Sequence, residues 1–184
     1  MGNVYLPFRG RERMHQWGVS LNPWITIPQF IKSTYLIPTM SSNTVPSGVA
    51  SESDALFLQY FAYRAMDKLN RSDLHDAWIA TGTTNQWIQY EFDTSKTIIG
   101  YKITAVNGTY GDEDRMPNNF DLVAWNGSGW DTLNSQTGQV FSNAETKEYL
   151  FANSVAYTRF RINCLTINGD PAYTEIAEFD LKGY

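Results

Sequence analysis

Strict alternation is the feature that most limits what this chain can become. Between Trp87 and Phe92, the residues Ile88, Tyr90 and Phe92 share one face, and Trp87, Gln89 and Glu91 share the other. The pattern returns at Tyr101, Ile103 and Ala105, and again at Phe120, Leu122 and Ala124. It recurs at Thr158, Phe160, Ile162 and Cys164, and last at Ala177, Phe179 and Leu181. Side chains that repeat every second residue line one face of a strand, so each run reads as a half-buried β-strand. Turn signals such as Asn107-Gly108 and Asn126-Gly127 separate the runs. Short strands punctuated in this way predict an all-β sandwich or barrel. A single short helix is expected, about Gln59 to Leu69, ahead of the first clear strand.

Charge divides the chain. Residues 1–36 hold Arg9, Arg11, Arg13 and Lys32 against Glu12, a net of +3, whereas residues 37–184 hold 10 basic and 18 acidic side chains, a net of −8. The first segment also contains Pro7, Gly10, Pro23 and Pro28 and keeps neither a helical nor an alternating period, so it is expected to be an irregular N-terminal arm. Its aromatic residues must bury somewhere, on its own body or on another protein. Arg11, Trp17 and Trp24 are the candidate docking residues, being types favoured as interface anchors. The body, residues 37–184, holds every strand signal and is expected to fold alone.

Several function classes fall away. A net charge of −5 argues against wrapping nucleic acid. No apolar run approaches the roughly 18 residues that a membrane-spanning helix needs, so no membrane insertion is expected. The lone Cys164 excludes a disulfide framework and a cysteine-based zinc site. Met1 to Gly10 has no basic stretch followed by an apolar one, so the chain is expected to be made in a cytoplasm without a signal peptide. With a docking arm, that suits a subunit of a phage virion or another released assembly.

Catalytic patterns are missing. The histidines are His15 and His75, and there is no HExxH, CxxC, GxSxG or phosphate-cradling glycine loop. Gly127-Ser128-Gly129 sits between strand candidates and reads as a hairpin turn. The run Asp112-Glu113-Asp114 could supply a glycosidase carboxylate pair, but adjacent acids bounded by Gly111 more often form a solvated tip. Aromatic residues on loops remain: Phe57, Tyr60, Tyr110 and Tyr173, with Asp112, Arg115 and Asp170 among them. Sugars offer apolar C–H faces ringed by hydroxyls, which suit an exposed ring beside carboxylates and an arginine. These seven residues are the candidate glycan site. Tyr110 and Arg115 are expected to be exposed, with little role in stability.

The body also carries a series of short motifs in a fixed order. They begin with Pro38 to Asn43 and Pro46-Ser47-Gly48-Val49, then Ala62 to Asp67, and then Trp87-Ile88-Gln89-Tyr90-Glu91-Phe92. Next come Pro117 to Leu122 with Trp130 to Leu133, then Tyr157 to Ile162, and finally Ile176-Ala177-Glu178-Phe179. In this order they resemble the discoidin-like, coagulation factor V/VIII type C family, which overlaps carbohydrate-binding module family 32. The resemblance covers residues 37–184 and not the arm. It implies a galactose-binding-like jelly-roll β-sandwich that binds without catalysis, through loops at one end. Most relatives bind glycans, and some bind phospholipid or protein. It also implies one structural calcium, held by backbone carbonyls and by side chains matching Asp67 and Glu178. The chain departs from that pattern, because Asp67 is followed by Lys68 where the family has glycine, and a short insertion precedes Trp78. Calcium, if bound, is therefore expected to be weak. The acidic loops argue against binding anionic lipid.

Overall fold

The alternating runs fall on strands, although the last one breaks at Ala177, beyond which both faces are buried. The computed structural model describes residues 32–71, 76–108 and 112–184. Arg11, Trp17, Trp24 and Tyr110 lie outside the described residues. The strands are β1 (Thr34–Tyr35), β2 (Val49–Glu52), β3 (Trp78–Thr81), β4 (Gln86–Lys96), β5 (Ile98–Thr104) and β6 (Pro117–Trp125). They continue with β7 (Trp130–Gln136), β8 (Thr146–Leu150), β9 (Tyr157–Ile167), β10 (Tyr173–Ile176) and β11 (Glu178–Gly183). One sheet runs β2-β4-β9-β6-β7, a second runs β1-β11-β5-β8, and β10 pairs with β3 in a two-stranded ribbon. Every pairing is antiparallel.

The main core fills the space between the sheets. It contains Ile88, Tyr90 and Phe92 of β4, Phe120, Leu122 and Ala124 of β6, and Phe160, Ile162 and Cys164 of β9, together with Tyr101, Ile103, Phe179 and Leu181 of β5 and β11. Phe92 meets Tyr90 edge-on at 4.8 Å and Phe160 at 6.0 Å, a geometry the ring quadrupoles favour. Cys164 is wholly buried on the central strand β9, opposite both Gln86 and Phe120. The Asn126-Gly127 signal closes the β6–β7 hairpin, where Asn126 Oδ1 accepts the N–H groups of Ser128 and Gly129, both at 2.9 Å. Gly127-Ser128-Gly129 is thus the hairpin turn that the spacing predicts.

Two details differ from the expectation. The helix near Gln59–Leu69 is a pair of 3-10 turns, Leu58–Tyr60 and Ala62–Met66, separated by an extended Phe61 at φ −63°, ψ 160°. Neighbouring side chains take the second turn's first N–H groups, with Glu52 Oε2 accepting from Ala62 and Asn43 Oδ1 accepting from Tyr63. Those tertiary bonds hold the turn against the core and compete with a continuous helical ladder. Thr34 and Tyr35, counted with the arm by charge, form β1 and pair with Gly183 and Lys182 of β11. Among the described residues no helix is long and apolar enough to cross a membrane.

Candidate functional site

Arg115 organises one end of the sandwich. It ends a 3-10 turn, Asp112–Arg115, between β5 and β6. Its Nη1 lies 2.8 Å from Asp112 Oδ1 and donates to Glu175 Oε2 at 3.1 Å, while its Nε donates to Asp170 Oδ2 at 3.0 Å. Its guanidinium carbon also lies 5.4 Å from the centre of the Tyr173 ring. Asp170 in turn accepts the N–H groups of Ala172 and Tyr173 through Oδ1, at 2.7 and 2.9 Å, which closes a tight Asx turn. The two loops that the sequence marks as ligand-binding are therefore locked to each other, and Asn168 N–H donating to Met116 O at 3.2 Å adds a backbone tie.

Burial makes this knot electrostatically tense. Glu175 is fully buried, and burial pushes its carboxyl up to about 7, with Arg115 pulling it back down. Burial also pushes Asp170 up, but the Ala172 N–H, the Arg115 guanidinium and the Tyr173 N–H outweigh it and hold Asp170 below the usual carboxylate range. The Arg115 side chain is 23% exposed. Asp112 Oδ2 and Glu175 Oε1 are buried with no hydrogen-bond partner among the described residues.

This corrects two expectations. Asp112 is not part of a solvated tip, since it is 4% exposed and bonded to Arg115. Arg115 is not a dispensable loop residue, because three carboxylates depend on it. The carboxylate that the sequence reading missed is Glu175. No alternation marked it, because its strand β10 is buried on both faces. An acid on an apolar face must find a partner.

The candidate aromatic residues gather beside the knot. Tyr60, Tyr173 and Leu56 pack on a small apolar cluster of Ala77, Ile79, Val106 and Ala177. Phe57 sits 6.3 Å from Tyr60, ring to ring, and is 60% exposed. Tyr173 thus touches both groups, with the aromatic cluster on one side and Arg115 on the other. Phe57, Tyr60, Asp112, Arg115, Asp170 and Tyr173 all belong to this end of the molecule. A second aromatic group, on the outer face of the five-stranded sheet, differs in kind. There Arg161 lies 3.7 Å from the Trp87 ring and 4.1 Å from the Trp130 ring, so the guanidinium already covers those faces. A recess of about 560 Å³ between Ile99, Leu150, Phe151 and Asn153 holds one charged residue, Lys182, which Glu148 already pairs.

Comparison with solved structures identifies the architecture. The chain matches the family 32 carbohydrate-binding module of Clostridium perfringens NanJ, solved in complex with galactose, with a TM-score of 0.62 and 15% identity over 82% of this chain and 99% of that one. It matches an F5/8 type C domain from Bacteroides fragilis with a TM-score of 0.62 and 19% identity, over 82% and 96% of the two chains. This is the discoidin-like fold. A third discoidin-like match is the lectin domain of lectinolysin, a His 62 mutant complexed with Lewis b, with a TM-score of 0.59 and 19% identity over 80% and 99%. The likeness is one of architecture, and in sequence no protein-family model and no curated protein matches the chain.

The discoidin-like resemblance implies calcium at Asp67 and Glu178, and the side chains present fit a dication poorly. Asp67 Oδ1 accepts the Leu69 N–H at 2.9 Å, and its Oδ2 lies 3.5 Å from Arg64 Nη1. Glu178 Oε1 is buried and unpartnered, but calcium takes about six to eight oxygens. Burial pushes the Glu178 carboxyl up to about 8, and Lys68 draws it down while Asp67 and Asp180 drive it up. Among the described residues, no three His, Cys, Asp or Glu side chains are grouped to hold a metal.

Proposed function

We propose that this chain is a non-catalytic carbohydrate-recognition module that binds a cell-surface glycan at the end of the sandwich formed by β3, β10 and the Asp112–Arg115 turn. The observation that carries this reading is the convergence of Phe57, Tyr60 and Tyr173 beside the partly exposed Arg115 side chain. A ring face beside a charged hydrogen-bonding fork is the chemistry that a sugar ring with its hydroxyls requires. The likeness to modules solved with galactose and with Lewis b supports a sugar as the ligand class. Asp112, Asp170 and Glu175 converge on one guanidinium instead of facing each other across a gap, which speaks for binding without hydrolysis. The N-terminal arm tethers the module to a larger assembly, such as a phage virion, through Arg11, Trp17 and Trp24.

One observation favours a second reading. Phe57 and Leu58 stand side by side, 60% and 80% exposed, and form an apolar projection that a neighbouring protein could bury. In that case the chain is a structural virion or scaffold subunit whose loops make protein contacts. A glycan array probed with the full chain separates the two. Binding to a related set of glycans that Phe57→Ala weakens supports recognition, and silence across the array from a folded sample overturns it.

A further inference from the structure

Four buried carboxylates crowd the region where the 3-10 segment meets β11. Asp67 is 5% exposed, Asp76 4%, Glu178 8% and Asp180 2%. Buried carboxylates need either counter-charges or protons. This chain supplies the counter-charges from the adjacent stretch. Arg64 Nη1 lies 3.5 Å from Asp67 Oδ2 and 3.6 Å from Asp76 Oδ1, and Arg71 pairs with Asp76. Lys68 Nζ donates to Asp180 Oδ2 at 2.7 Å, and the other Asp180 oxygen accepts the N–H groups of Ile37 and Leu181 at 3.2 and 2.9 Å.

The backbone makes Lys68 informative. Its φ is +63°, in the left-handed region that favours glycine and strains any other residue. The Asp67 Oδ1 bond to the Leu69 N–H bridges the two residues flanking Lys68 and helps hold that conformation. A strained lysine with a short bond to a buried carboxylate is explained by what its ammonium does.

We propose that Lys68 is the site's own cation, supplying from within the chain the positive charge that the family resemblance assigns to calcium. Strain at residue 68 and charge at the carboxylates are then two sides of one exchange. Lysine accepts a conformation suited to glycine, and in return this end of the sandwich holds together without metal.

The experiment is thermal melting of the full chain in chelator and in millimolar calcium chloride. The native protein is expected to melt at the same temperature in both. Lys68→Gly relieves the backbone but leaves the buried Asp180 carboxylate without its cation, so its melting temperature in chelator is expected to fall by several degrees. Calcium is expected to leave the glycine variant as unstable as chelator does, since the Leu69 N–H and Arg64 still occupy the Asp67 carboxylate. Lys68→Arg, which keeps the charge, is expected to stay calcium-insensitive. Two outcomes overturn the proposal: a native protein that calcium stabilises, or a Lys68→Gly variant as stable as the native chain in chelator.

Discussion

Arg115 Nη1 lies 3.1 Å from Glu175 Oε2, and that bond joins residues 60 positions apart, one on a loop turn and one on a strand with no access to water. Removing the arginine leaves a buried carboxylate with no countercharge. Arg115→Ala is therefore expected to destabilise the protein by roughly 3 kcal/mol. For a chain of this size that is about a ten-degree fall in melting temperature. Calorimetry checks it, and a shift of under two degrees would show that the knot holds nothing together.

Phe57 is expected to behave in the opposite way. Its ring is mostly exposed, so Phe57→Ala removes little core burial and should move the melting temperature by no more than a degree or two. A ring that stacks on a sugar contributes on the order of 1–2 kcal/mol, so glycan affinity should drop about tenfold. Titrating an array-identified glycan into both proteins tests the pair of outcomes together.

Glu175 gives the knot a pH signature. Its carboxyl titrates near 7 in the folded protein, against 4.5 for an unperturbed glutamate. Between those values the folded state holds a proton that the unfolded chain has released, so this residue's contribution is greatest below about 4.5 and is lost as pH rises towards 7. The melting temperature of the native protein should decline across that window relative to Glu175→Gln, which cannot titrate. Parallel melting curves for the two proteins from pH 5 to 7.5 would refute the assignment.

The edge strand β1 predicts the outcome of a truncation. A fragment of residues 37–184 keeps every strand of the core but loses the pairing of Thr34 and Tyr35 with β11 and the Leu36 N–H bond to Leu181 O at 2.8 Å. It is expected to fold, as circular dichroism would show, and to melt several degrees below a fragment of residues 32–184. If the shorter fragment is unfolded, β1 is indispensable to the sheet.

The core was legible because β4, β6 and β9 each bury one face, and a two-residue period survives in their sequence. The paired strands β3 and β10 were not, because Trp78, Ile79 and Ala80, and likewise Thr174, Glu175 and Ile176, are buried on both faces and show no alternation. Nor was β8, an edge strand reading Thr-Lys-Glu-Tyr-Leu, where solvent asks little of the residues. At the site, residue types pointed to Arg115, Asp170 and Tyr173, but only the fold reveals that the arginine forms ion pairs with three carboxylates. The partners lie as far as 60 residues away in the chain, beyond any local pattern.

The burial of Cys164 on the central strand has a practical consequence. It is the chain's single thiol, and burial drives its ionisation far above the usual range, so the folded protein offers a modifying reagent almost no thiolate. The sulfur is freed only when β9 parts from β4 and β6 together. The rate at which a thiol probe labels the native protein is then a clock for whole-domain opening, readable by mass spectrometry in dilute buffer without denaturant.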